Sequence, residues 1–82
     1  MDGKVIHDQI ISIIADHLAI APERITGEST LESLGADSLD YVDLVMQVEE
    51  RFDVELGDEK LQELKNIGAL IQYVQQLKAK KE

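Results

Sequence analysis

The side chain best placed to carry chemistry is the hydroxyl of Ser38, which stands in the run Asp37-Ser38-Leu39-Asp40 where a helix is about to begin. Asp or Ser there can cap the first turn, and Asp40 adds a favourable charge beside the positive end of the helix dipole. The same helix start favours an anion, so a phosphate ester on the Ser38 oxygen would sit in a supportive field. By position alone, however, a serine at a helix start is far more often just a cap. A nucleophilic serine would need a base and a glycine-flanked elbow. His7 and His17 belong to no such motif and read as surface or boundary residues of the first helix, so no catalytic residue is assigned. A calcium loop would need ligands at alternating positions around a central glycine. Asp37, Asp40 and Asp43 are instead three apart, which makes a helix face and at most a weak divalent-ion site; no metal ligand is assigned.

The elements that must position Ser38 belong to a chain of 82 residues, enough for one small core. With two Tyr, one Phe and no Trp, the interior falls to Ile, Leu and Val, a palette that suits helices packed on helices. Seventeen acids against eight bases give a net charge of −9, a field that repels nucleic acid and anionic membrane and attracts basic protein surfaces. The charge is uneven: Glu28 to Glu59 holds eleven acids and one base, whereas Lys60 to Glu82 carries five Lys and two Glu. The absence of Cys excludes a disulfide framework and a thiolate metal site, so any thiol chemistry has to come from an attached group. The N-terminus meets an amphipathic segment, and no stretch approaches the ~18 apolar residues of a membrane span, so the chain is expected in the cytoplasm without membrane insertion.

Ile6, Ile10, Ile13, Ile14 and Leu18 recur at helical spacing and predict an amphipathic first helix from about Gly3 to His17. Pro22, Gly27 and Gly35 with broken periodicity then predict a loop of about twenty residues. Leu18, Ile20, Ile25, Leu31 and Leu34 are expected to pin it across the bundle. The second helix is predicted from Asp37-Ser38 to Arg51 or Phe52, followed by a turn over Asp53 to Gly57. Asp58 can cap a short helix holding Leu61 and Leu64, and Asn66 a last one carrying Ile67, Leu70, Ile71, Val74 and Leu77. The fold class is therefore all-α: a small four-helix bundle of three longer helices and one short, with a long loop between the first two.

The second helix carries more apolar residues than one buried stripe needs. On a wheel of about 100° per residue counted from Leu39, Tyr41, Leu44, Val45, Val48 and Phe52 fall at roughly 140° to 240° and form the core face. Leu39, Val42 and Met46 fall apart from them at roughly 300° to 360°, flanked by Asp43, Glu49, Glu50 and Asp53. Packing of Leu39 and Val42 under the preceding loop would be the ordinary explanation. A flexible, polarizable Met inside an acidic rim points instead to a surface that meets several partners in turn, charge steering the approach and apolar atoms making contact.

The run Gly35-Ala36-Asp37-Ser38-Leu39-Asp40 resembles that of the acyl carrier proteins, whose Asp-Ser-Leu serine bears 4′-phosphopantetheine. The resemblance extends through Val42, Asp43, Leu44-Val45-Met46, Glu49-Glu50, Phe52-Asp53 and Asp58-Glu59, and the helix pattern agrees from about Val5 to Val74. It implies one acyl-carrier domain over 1–82, with 79–82 as a frayed tail, that is a carrier and not an enzyme. A phosphopantetheinyl transferase would move the arm from coenzyme A onto Ser38, Asp37 helping it engage magnesium, and acyl groups would ride as thioesters on the arm's thiol.

By the same resemblance, Leu39, Asp40, Val42, Asp43, Met46, Glu49 and Glu50 would meet basic docking patches of acyl-chain synthesis and transfer enzymes. Leu44, Val45, Val48, Phe52, Leu56, Leu61, Leu64, Ala69 and Leu70 would line an acyl pocket in a monomeric bundle. Gly57, Leu61 and Tyr41 depart from the family's usual Pro, small Ala and small or polar residue, which bears on acyl length and partner choice. The reading that results is a carrier of fatty acid biosynthesis. The alternatives are a polyketide, aminoacyl or lipid-modification carrier, and an unmodified acidic adaptor or divalent-ion-binding bundle.

Overall fold

The computed structural model describes residues 3–57, 64 and 66–81. Three helices make up its regular structure: α1 (Gly3–Leu18), α2 (Ser38–Phe52) and α3 (Ile67–Lys81), with a 3-10 turn at Pro22–Arg24 and no strand among the described residues. Of the short helix expected after Asp58 with Leu61 and Leu64, residues 58–63 lie outside the described residues, and Leu64 is half-buried and not helical. The last helix runs to Lys81.

Helical periodicity becomes burial directly. Ile6, Ile10 and Ile14 of α1, Leu44, Val48 and Phe52 of α2, and Ile67, Ile71 and Val74 of α3 meet in one core. There α1 packs against both other helices. The connection from Ala19 to Asp37 is held as its apolar residues suggest, with Ile25 buried and Ile20, Leu31 and Leu34 packed against the core, while Leu18, expected as a peg of this loop, packs there as the last residue of α1. It is also held by backbone. The amide of Ile67 donates to Ser29 O at 2.8 Å and that of Gly68 to Gly27 O at 2.9 Å, so loop carbonyls satisfy donors that the first turn of α3 would otherwise leave open. Asn66 caps the same turn, its Oδ1 accepting from Ala69 N at 2.9 Å. Only glycine allows the approach, since a Cβ on Gly68 would stand 2.9 Å from Gly27 O.

Helix α1 ends on Ala19 at φ 56°, with Ile20 N donating back to Ala15 O at 3.0 Å. This closing turn normally takes glycine, because a Cβ in the left-handed region meets the neighbouring carbonyl. Ala19 is exposed and has no packing role that glycine would lose. Ala19→Gly should therefore stabilise the protein by about 0.5–1 kcal/mol, read as a rise in thermal midpoint. An unchanged or lowered midpoint would contradict this account of the turn.

Candidate functional site

Gly35 at φ 90° closes the small turn in which Leu34, Gly35 and Ala36 donate back to Thr30, Leu31 and Glu32, and this aims the chain into α2. The cap of α2 is Asp37. Its Oδ1 accepts from Asp40 N at 2.9 Å while Asp40 Oδ2 accepts from Asp37 N at 3.2 Å, a reciprocal capping box. Ser38 is the first helical residue. Its side chain is exposed and makes no hydrogen bond to another described residue. The hydroxyl is thus free of the capping duty that serine usually has at a helix start. Because two carboxylates already answer the positive end of the dipole, the electrostatic welcome for a phosphate is weaker than the sequence suggests. What distinguishes this hydroxyl is its access to solvent.

Asp40 is drawn further into the structure by His17, whose Nε2 lies 3.0 Å from Asp40 Oδ1. The Asp37 N–H, and after it the His17 bond, hold the Asp40 carboxyl below the ordinary aspartate value of 3.8. A carboxyl whose folded value lies below its unfolded one adds stability that is fully present above the unfolded value and disappears as pH falls through the folded one. Asp40→Asn should therefore be less stable than the parent at neutral pH and should lose less on acidification from about pH 5 to pH 2. Parallel acid-unfolding profiles for the two proteins would contradict this role. His7, the other histidine, is exposed, and its Nδ1 lies 3.1 Å from Oδ1 of its neighbour Asp8.

Along α2 the two stripes separate as the wheel predicts. Leu44, Val48 and Phe52 are buried and Tyr41 and Val45 half-buried, whereas Leu39 is 74% exposed and Val42 and Met46 each 53%. Asp43 and Glu50 lie exposed beside this apolar strip. Glu49 does not join them freely, because its Oε2 accepts from Leu56 N at 2.8 Å and ties down the turn after α2.

A cavity of about 190 Å³ opens beneath the start of α2, lined by Ile14, Thr30, Leu31, Glu32, Tyr41, Leu44, Val45, Val48, Leu64, Asn66, Ile67 and Leu70. Leu44, Val45, Val48, Leu64 and Leu70 were expected there. Phe52 and Leu56 are instead packed in the core away from it, Ala69 is half-buried in the first turn of α3, and Leu61 lies outside the described residues. Ile14, Thr30, Glu32, Asn66 and Ile67 join this lining with no mark of it in the sequence, Leu31 joins it from the loop, and Tyr41 reaches it from the core face of α2. Leu31, named as a loop peg, carried the available signal. Among the described residues, no helix is long and apolar enough to cross a membrane, and no group of three or more acidic or His side chains could hold a metal ion.

The family model described as the phosphopantetheine attachment site matches residues 8–74, most of the chain. An acyl carrier protein of Akkermansia muciniphila is 37% identical over 78 residues, covering 94% of this chain and 98% of the relative. Acyl carrier proteins of Campylobacter fetus and Wolinella succinogenes are each 39% identical, over 74 and 71 residues, and cover 89% and 85% of this chain and 96% and 93% of the relatives. The chain belongs to the acyl carrier proteins, a family of carriers and not enzymes that hold their cargo on phosphopantetheine.

Proposed function

We propose that this protein carries acyl chains in fatty acid biosynthesis, with its arm on Ser38, in the cytoplasm, as a monomer. The observation that supports this most is the exposed Ser38 hydroxyl at the head of a helix whose outer face is an apolar strip flanked by acids. Asp37, one residue before it, serves the modifying transferase and its magnesium. Leu39, Val42 and Met46 make apolar contact with successive enzymes, and Asp43 and Glu50 steer their basic patches. Asp40 and Glu49 shape that face through their internal bonds. The fold behind this is the four-helix carrier domain over 1–82 expected from the sequence, its short helix following Asp58 and its long connection joining the first two helices.

The cavity supports an aliphatic cargo, since most of its lining is Ile, Leu and Val. A cavity of about 150 Å³ holds a benzene ring, so about 190 Å³ takes a short alkyl segment and must open for more. Each methylene buried there gains about 0.8 kcal/mol, which has to be surrendered again on delivery. Thr30, Glu32, Tyr41 and Asn66 in the same lining favour a second reading, a carrier of more oxidised acyl groups in a specialised pathway. The acyl species recovered on protein purified from its native cell decides: saturated and 3-oxygenated intermediates of one homologous series support fatty acid synthesis, and a single unrelated acyl or aminoacyl group contradicts it.

Docking is tested separately. Asp43→Lys combined with Glu50→Lys should weaken binding to an acyl-handling enzyme at least about tenfold at low salt, the difference shrinking as salt screens it. Unchanged affinity at low salt would place the interface elsewhere.

A further inference from the structure

The geometry points to His17 as the positioning residue for loading of the arm: it clasps the first turn of α2 to the end of α1, so that Ser38 is presented in one pose. This rests on Ser38 being the attachment residue. His17 lies in the last turn of α1, and its ring bridges two residues that stand two turns apart on α2. Its Nε2 lies 3.0 Å from Asp40 Oδ1, and its Nδ1 lies 3.2 Å from Gln47 Nε2. As assigned, the Gln47 amide donates to Nδ1, which leaves the ring proton on Nε2 to be donated to Asp40.

Asp40 is at the same time half of the capping box, so the bonds run without interruption from Gln47 through His17 and Asp40 to Asp37, one residue short of Ser38. The His17 side chain is 21% exposed and that of Asp40 34%, which keeps water from replacing the bond freely. At the far end of the antiparallel pair, Arg51 Nε donates to Gln9 Oε1 at 3.1 Å, and this second cross-link leaves α1 and α2 fastened when the first is removed. Loss of His17 therefore loosens the start of α2 selectively. An enzyme that must bind that turn and receive the Ser38 hydroxyl then has to order it on binding, and a loss of affinity follows.

The test is steady-state transfer of phosphopantetheine from coenzyme A by a phosphopantetheinyl transferase, with wild-type loading first verified by intact mass. His17→Ala should raise KM for the carrier about fivefold to tenfold with kcat within about twofold, and should speed hydrogen exchange of the Asp40 amide about tenfold. His17→Gln, which keeps a donor at similar reach, should restore both to within about threefold. In an Asp40→Ala background His17→Ala should add nothing further. A wild-type KM in His17→Ala, no rescue by His17→Gln, or an undiminished effect without Asp40 would each overturn the proposal.

If His17→Ala does not fold, the exposed Gln47→Ala decides, with faster Asp40 exchange and a raised KM expected and unchanged values overturning it. Wild-type protein that takes no arm at all would overturn the attachment reading and this one with it. Loaded wild type beside an unaffected His17→Ala overturns this one alone.

Discussion

Phe52→Ala is expected to remove about 3–5 kcal/mol of stability and to lower the thermal midpoint by at least about 10 °C. Phe52 is 1% exposed and is the largest fully buried side chain among the described residues. It is also the only Phe in a chain without Trp, and Tyr41 and Tyr73 are only half-buried at the edge of the core, so no other aromatic ring is fully buried among the described residues. Lys78 Nζ of α3 also donates to Phe52 O at 3.1 Å, a bond that ties the end of α2 to the last helix. Domains of this length hold only about 4–12 kcal/mol in total, so about a quarter of the margin or more would go. Chemical denaturation measures it. A loss below about 1 kcal/mol would mean that the core repacks without its one phenyl ring.

Ser38→Ala should abolish attachment of the arm completely and leave the fold standing. The second half of that expectation follows from the capping box: Asp37 and Asp40 satisfy each other's amides, and the Ser38 side chain contributes no bond to another described residue. Alanine is moreover the better helix former at an exposed first-turn position. Helical circular dichroism and thermal midpoint should match the parent, and docking through the exposed strip should persist in its unloaded form. A variant that unfolds would show that the hydroxyl caps the helix after all. A variant that still gains the arm would move the attachment elsewhere.

Two kinds of feature differed in how far they could be read from the residues. The two stripes of α2 were legible because burial of Leu44, Val48 and Phe52 and exposure of Leu39, Val42 and Met46 follow from a constant angular step along one helix. The pegs of the first connection were legible for a related reason, as apolar residues in a polar stretch have to find the core. Which residue caps α2 was narrowed to Asp37 or Ser38, and the spacing of Asp37 and Asp40 held the missing signal, since acids three apart can satisfy each other's amides.

Features that depend on tertiary approach had no local mark. His17 finds Asp40 and Gln47 across 23 and 30 positions, and Glu49 leaves the outer face to bind Leu56 N because the turn after α2 folds back on it. The bonds from Ile67 and Gly68 to Ser29 and Gly27 are backbone to backbone and left only Gly68 as a trace. Thr30, Glu32 and Asn66 reach the cavity from irregular segments, where no periodicity says which way a side chain turns.

The most direct test of the account is the intact mass of this chain produced together with a phosphopantetheinyl transferase, followed by peptide mapping. The account predicts a gain of one phosphopantetheinyl group, mapped to Ser38. Folded protein of unmodified mass, or the group on any other residue, would contradict it.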